Sequence, residues 1–325
     1  MNVNNLQNLK AELRELGFSK ELLADMEKQM QKNNPDFLLR AEADGTKGKL
    51  DFVLHFKQSS RTDYYFFNKF DVMLNKAKPL EEGQKYMVIS PGEQNKPAFR
   101  KFGNPNEAID YFKEQKGNSE LAAGKDPASK TTLARMEEGK VAFVDKDFSK
   151  VFYTPAIRQT FYPDKGKGFT AQQAANLVEG RSVYRDDLLN IAGAPYKAWV
   201  ALDFEKQKDR FQNYVTRQFH DPSYGFDLGK TLEKFDIKEL DDPARRQKLE
   251  DSLKNGNRSM VTVTKDGQET KMLIEAVPRY SQINFYQENG KSEKREHFLE
   301  APKATIVNQG KGMENKLTES HGRRM

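Results

Sequence analysis

The feature that most constrains the fold is an order of local signals that recurs three times along the chain. Each time, a helical pattern ends at a stop signal, and a strand, a glycine turn, a strand, a loop and a strand follow. Lys32 to Gly45 and Lys254 to Gly267 each span 13 positions. Gly180 to Gly193 also spans 13 positions, against 11 from Gly256 to Gly267, so the middle unit has two extra residues that we expect in its hairpin. Self-similarity of this kind is the signature of duplicated supersecondary units. The sequence therefore predicts repeated units, each a helix on a three-stranded antiparallel β-meander.

Local sequence signals predict where several helices and strands begin. Side chains that can accept hydrogen bonds from the first amides of a helix predict four helix starts. These caps are Ser19, Asn104, Thr170 and Asp242. Among the strands, Tyr64 to Phe70 is aromatic on both faces, which favours burial on both sides. The short apolar run Val151 to Tyr153 also predicts a strand.

These patterns predict an α+β chain of repeated helix plus three-stranded antiparallel β-meander units, with an inserted small α+β domain. The predicted divisions are an N-terminal unit at 1–78, the insertion at 79–165, two tandem repeats at 166–290 and a tail at 291–325. Within the insertion, the small and polar stretch 117–131 predicts a linker. The tail is polar and basic at its end, which predicts disorder.

Composition excludes some classes of protein. With no cysteine, the chain cannot form disulfides, thiolate zinc sites or a cysteine nucleophile. The N-terminus lacks a signal-peptide pattern, and no apolar run approaches the ~18 residues of a membrane helix. We therefore expect a cytoplasmic protein without a membrane partner. The net charge of +6, from 54 basic and 48 acidic residues, is only a mild attraction for polyanions.

Motifs for catalysis are weak. The four histidines do not occur at metal-ligand spacing. Gly225–Thr231 resembles a phosphate-binding loop, but its first glycine is one residue too close to the second. An enzyme using the carboxylates of Glu179, Asp186 and Asp187 is a third-ranked hypothesis. We expect no enzyme, no cofactor and no metal.

Two stretches resemble a known group of proteins. Gly166–Asp186 reads GKGFTAQQAANLVEGRSVYRD, and Ala192–Phe204 reads AGAPYKAWVALDF. They are similar to uncharacterised proteins of conjugative and other mobile elements of Bacteroidetes-type bacteria. The resemblance covers Tyr162 to about Gly290 and, more loosely, Asn5 to Met73. It implies a mobile-element context and a family of unknown function, with no catalytic residues to transfer.

Two functions lead. The first is a non-enzymatic binding or adaptor protein that acts on protein partners. The second is a nucleic-acid-binding accessory protein of conjugation or DNA processing. Its candidate contacts are Lys165, Lys167, Arg181, Lys197 and Lys271. The aromatic run Tyr64 to Phe67 is a further candidate for base stacking, although strand packing is the favoured interpretation. The oligomeric state stays open.

Overall fold

The computed structural model describes residues 2–92, 97–154, 156–265 and 267–299 of the chain. Within these ranges it contains seven α-helices and sixteen β-strands, and the strands form four antiparallel sheets. The predicted α+β class is therefore confirmed. None of the described helices is long and apolar enough to cross a membrane.

The first sheet is covered by the two helices that begin the fold. The elements in chain order are α1 (Val3–Glu15), α2 (Lys20–Gln31), β1 (Asp36–Asp44), β2 (Lys49–Gln58) and β3 (Tyr65–Asn75). Ser19 caps α2 as predicted, since its side chain accepts a hydrogen bond from the Leu22 amide. The apolar stripes of both helices pack on the inward side chains of the strands and form the first core. We call α2 with β1–β3 the first unit.

The aromatic strand β3 differs from its prediction. Tyr65 and Phe67 are buried in the first core, whereas Phe66 between them is 53% exposed. Successive side chains of a strand point to opposite faces. At this end of β3 only one face is covered, so the prediction of burial on both faces was wrong.

An inserted domain, residues 85–153, follows β3. Its elements are β4 (Lys85–Ser90), β5 (Ala98–Phe102), α3 (Pro105–Lys113), β6 (Ser119–Gly124), β7 (Lys130–Glu137), β8 (Lys140–Val144) and α4 (Ser149–Tyr153). The five strands form one sheet in the order β5-β4-β6-β7-β8, and its core takes in side chains of both helices. Asn104 caps α3 as predicted, accepting hydrogen bonds from the amides of Asn106 and Glu107.

Two predictions within this domain were wrong. The stretch 117–131, predicted as a linker, contains β6 and the start of β7. Its small residues suit the central strand of the sheet, where Ala122 and Ala123 are buried between neighbouring strands. The predicted strand Val151 to Tyr153 belongs to α4, whose Phe152 is buried in the core of the domain.

The chain returns to the first sheet after the inserted domain. β9 (Ile157–Phe161) pairs with β3, which gives the strand order β1-β2-β3-β9. Phe161 lies in the first core. The predicted insertion at 79–165 therefore extends past the point where the chain rejoins the first sheet.

The remaining elements form two further sheets. They are α5 (Ala171–Val178), β10 (Val183–Leu189), β11 (Pro195–Leu202), β12 (Thr216–Asp221), α6 (Leu228–Leu232), α7 (Pro243–Lys254), β13 (Ser259–Lys265), β14 (Gln268–Val277), β15 (Gln282–Tyr286) and β16 (Ser292–Glu293). The sheets are β10-β11-β12 and β13-β14-β15-β16. Thr170 and Asp242 cap α5 and α7 as predicted. We call α5 with β10–β12 the second unit and α7 with β13–β15 the third.

The three units share one order of elements. In each, a residue with positive φ follows the helix, and a three-stranded antiparallel meander comes next. These residues are Asn33, Gly180 and Gly256, with φ of 54°, 86° and 80°. Each unit thus has the predicted order of a helix followed by a three-stranded meander. That the units arose by duplication stays a prediction.

The second unit links the first and the third. The apolar side of α5 packs in the first core. Trp199 and Phe219, from the sheet of the same unit, pack in the core of the third unit. One unit therefore contributes to two cores.

The beginning of the predicted tail is folded. β16 pairs with β15, and Phe298 is 1% exposed in the core of the third unit. The prediction of disorder from residue 291 was wrong for residues 291–299, because Phe298 supplies apolar surface that this core buries. The rest of the predicted tail, 300–325, lies outside the described residues.

Candidate nucleic-acid interface

Among the described residues, the sheet of the inserted domain carries its helices on one face. Phe112 of α3 and Phe152 of α4 are buried there against Tyr86 and Val88 of β4. Directly paired residues of antiparallel strands have their side chains on the same face of the sheet. The register therefore identifies the residues whose side chains lie on the face without helices. We call that face the open face. Its residues are Lys85, Met87, Ile89, Phe99, Lys101, Glu120, Ala122, Lys130, Thr132, Arg135, Glu137, Lys140 and Phe143.

Exposed aromatic rings mark both ends of the open face. Phe99 in the edge strand β5 is 48% exposed, and Phe143 in the other edge strand, β8, is 40% exposed. They end a row of paired residues that crosses all five strands through Ile89, Glu120 and Arg135. Four strand spacings of ~4.8 Å put the two positions roughly 19 Å apart. The two rings thus belong to one continuous surface.

Positive charge exceeds negative charge on the open face. The cations are Lys85, Lys101, Lys130, Arg135 and Lys140. The carboxylates are Glu120 and Glu137, which leaves an excess of three positive charges, five minus two. Glu120 accepts hydrogen bonds from Lys130 and Thr132, so its charge is already engaged. The surface therefore favours an anionic ligand.

Each exposed ring has a cation beside it. The Lys101 ammonium lies 5.8 Å from the centre of the Phe99 ring, and the Arg135 guanidinium lies 5.2 Å from the centre of the Phe143 ring. At these distances a cation is attracted to the π-electrons of the ring. The arrangement places a flat apolar surface and a positive charge together at each edge of the sheet.

The middle of the open face is apolar. Met87, Ile89 and Ala122 form a small buried cluster beneath the longer side chains around them. Proteins that hold single-stranded nucleic acid combine aromatic rings, on which bases stack, with cations that contact phosphates. The open face offers both kinds of contact on one sheet.

Two of the five cations named from the sequence lie in other sheets. Lys197 is in β11 opposite Asp221, and Lys271 is in β14 opposite Thr262. Both are exposed. Lys197 and Lys271 therefore belong to two different sheets.

Lys165 and Lys167 lie in a turn on the end of α1. The Glu12 carboxylate accepts a hydrogen bond from the Lys165 backbone, and burial raises the pKa of Glu12. Gly166 lies directly against the Glu15 carboxylate. A phosphate at this turn would therefore lie beside two carboxylates, one of which already accepts a hydrogen bond from the Lys165 backbone.

Arg181 is buried, with 8% of its surface exposed. Its guanidinium donates to the Glu179 carboxylate at 2.5 Å and to the Thr46 hydroxyl at 2.7 Å. Glu179 also accepts a hydrogen bond from the Lys47 amide at 2.6 Å. Because Thr46 and Lys47 belong to the β1–β2 turn, this network joins the first unit to the second.

The weaker sequence motifs do not form a site within the described residues. Asp187 is paired with Arg185 at 2.7 Å, whereas Glu179 is paired with Arg181, so separate arginines hold two of the three predicted catalytic carboxylates. The loop that resembles a phosphate-binding loop leads into the short helix α6. No group of three or more histidine, aspartate or glutamate side chains in the described ranges could hold a metal ion.

No family model, curated protein or solved structure matches this chain.

Sequence reasoning missed the open face because its central strand, β6, lay in the predicted linker. One signal was available in β5, where Phe99 and Lys101 alternate with the buried Phe102. That alternation indicates an amphipathic strand with an aromatic and basic outer side.

Proposed function

We propose that the chain is a non-catalytic binding protein whose inserted domain holds single-stranded nucleic acid on the open face. The observation that carries the proposal is the row from Phe99 to Phe143, which has a ring and a cation at each end. Single strands expose the flat faces of their bases, and aromatic rings on a sheet stack on them. Lys101 and Arg135 are placed to contact the adjoining phosphates.

A duplex would bind less well. Its bases stack on one another and pair inside the helix, so their faces cannot reach Phe99 and Phe143. A duplex could use only the cations of the open face, and phosphate contacts alone give weak, salt-sensitive binding. The proposal therefore includes a preference for single strands.

The resemblance to mobile-element proteins supports an accessory role in conjugation or DNA processing, as part of the same proposal. It rests on Gly166–Asp186 and Ala192–Phe204, which lie outside the inserted domain. It therefore supports the biological setting and does not bear on the open face.

Fluorescence anisotropy with labelled oligodeoxythymidine, its RNA counterpart and a duplex of equal length tests the proposal. We expect both single strands to bind more tightly than the duplex. Phe99→Ala and Phe143→Ala should each weaken binding by about 1–3 kcal/mol, the contribution of one stacked base. With about three phosphate contacts, the logarithm of Kd should rise with the logarithm of salt concentration with a slope of about 2.

Phe66→Ala is the matched control, because Phe66 is similarly exposed but lies in the first sheet. It should leave binding unchanged. Wild-type affinity in the doubly substituted Phe99→Ala, Phe143→Ala protein would overturn the proposal. So would an equal loss of affinity in the Phe66→Ala control.

A further inference from the structure

A second surface, separate from the open face, lies where the three units meet. It is a cleft of about 670 Å³. One wall is the continuous run Ala41 to Thr46, from β1 and the turn after it. The other walls come from α5, from the turn between α1 and α2, and from residues at the end of α7 and just after it. Successive side chains of a strand point to opposite faces, and consecutive residues of β1 line this cleft. The cleft therefore lies along the edge of β1 and not over one of its faces.

The edge of β1 has backbone groups that point away from its sheet. Among the described residues β1 pairs with β2 alone. The Gly45 amide donates to the Gly48 carbonyl at 2.9 Å, and bonded and non-bonded pairs alternate from there along an antiparallel ladder. Ala43 is therefore bonded to β2, whereas the amides and carbonyls of Glu42 and Asp44 point outward. Such groups are a template for an added strand.

Small side chains make room on the inner side of this edge. Ala41 and Ala43 line the cleft from the strand, and Ala171 and Ala175 line it from α5. Phe52, which is buried, forms part of the apolar floor. A side chain of medium size could therefore enter between the strand and the helix.

The outer side of the same edge is acidic. Glu42 and Asp44 alternate with the two alanines and line the cleft. Lys49, opposite Asp44 on β2, reaches the Glu42 carboxylate at 3.7 Å. Two carboxylates thus share one lysine, which leaves this side of the edge negatively charged.

We infer that the cleft binds an extended peptide segment of a partner protein, which pairs with β1 as an additional strand. Neighbouring residues on adjacent strands share a face. The segment therefore has apolar residues beside Ala41 and Ala43 and basic residues beside Glu42 and Asp44. This binding mode uses main-chain hydrogen bonds for affinity and alternate side chains for specificity. It goes beyond nucleic-acid binding and gives the chain a protein partner.

A fluorescein-labelled heptapeptide of alternating valine and lysine is the probe, and a peptide of equal composition with its lysines grouped together is the control. The alternating peptide should bind more tightly.

A bound peptide should also slow the hydrogen exchange of the Glu42 and Asp44 backbone amides. The exchange of the Ala43 amide, which is already bonded to β2, should not change. Glu42→Pro removes one outward amide at a position where an edge strand tolerates proline, and should weaken peptide binding about tenfold. Glu42→Ala, which keeps the amide, should weaken it less.

Equal binding of the two peptides, or no protection of Glu42 and Asp44, would overturn the inference. If Glu42→Pro fails to fold, the hydrogen-exchange experiment on the unsubstituted protein still shows whether the peptide pairs with β1. Oligodeoxythymidine binding should be the same in Glu42→Ala and in the unsubstituted protein, which separates this surface from the open face.

Discussion

At the scale of single residues, the contact between the inserted domain and the first sheet depends on a buried carboxyl group. Asp51 of β2 is 7% exposed and accepts a hydrogen bond from the Asn104 side chain, which also caps α3. Burial, followed by the nearby carboxylates of Glu42 and Glu107, raises the pKa of Asp51 to about 6. The charged form of Asp51 therefore costs free energy in the folded protein at neutral pH.

Asp51→Asn should stabilise the protein at neutral pH, because asparagine keeps an oxygen for Asn104 and carries no charge. A pKa higher in the folded than in the unfolded state means that the folded state gains stability as pH falls through 6 toward the unfolded value near 3.8. The free energy of unfolding should exceed that of the wild type by up to about 3 kcal/mol at pH 7.5. The difference in the free energy of unfolding should shrink to about 0.6 kcal/mol near pH 4 and vanish only below the unfolded pKa. Urea unfolding of both proteins at the two pH values measures it, and a difference independent of pH would contradict the assignment.

At the scale of elements, the sequence predicts helices better than strands. The caps at Ser19, Asn104, Thr170 and Asp242 were predicted because a cap and its amides lie within three residues of one another. The central strand β6 was missed because alanine, glycine and serine resemble a loop composition. Only the neighbouring strands β4 and β7 make these residues a strand, and sequence patterns do not contain that contact.

The glycine that follows the helix of the third unit allows a test by substitution, because replacing it should lower the free energy of unfolding. Gly256 has φ of 80°, and a Cβ there would lie 2.9 Å from the Ser182 carbonyl oxygen of the second unit. Gly256→Ala should destabilise the protein by about 2–5 kcal/mol, the sum of left-handed backbone strain and overpacking. Gly193→Ala is the control, because Gly193 has φ of 77° with open space around its Cβ position. It should cost only about 1–2 kcal/mol in the same chemical denaturation experiment. Equal costs would show that the contact between the units is looser than described.

At the scale of the whole molecule, the sequence predicts the units but not their assembly. The helix-and-meander order could be read from local signals, and the class α+β followed from it. The open face was not predicted, because β6 lay in the predicted linker and pairs with β4 across the intervening β5 and α3. The cations named from the sequence came from local patterns: Lys197 and Lys271 from equivalent strand positions, Lys165 and Lys167 from the start of a helix. Local patterns could not reveal that Arg181 would be buried beside Glu179.

The most direct test of the proposed function is to map where a bound single strand lies. An oligodeoxynucleotide carrying photoreactive 5-bromouracil would be cross-linked to the full chain, and the modified peptides would be identified by mass spectrometry. The structure predicts cross-links at Phe99 and Phe143, and their loss when both are replaced by alanine. Cross-links confined to the peptides of Tyr64–Phe67, Lys197 or Lys271, with none in the inserted domain, would contradict the assignment of the open face.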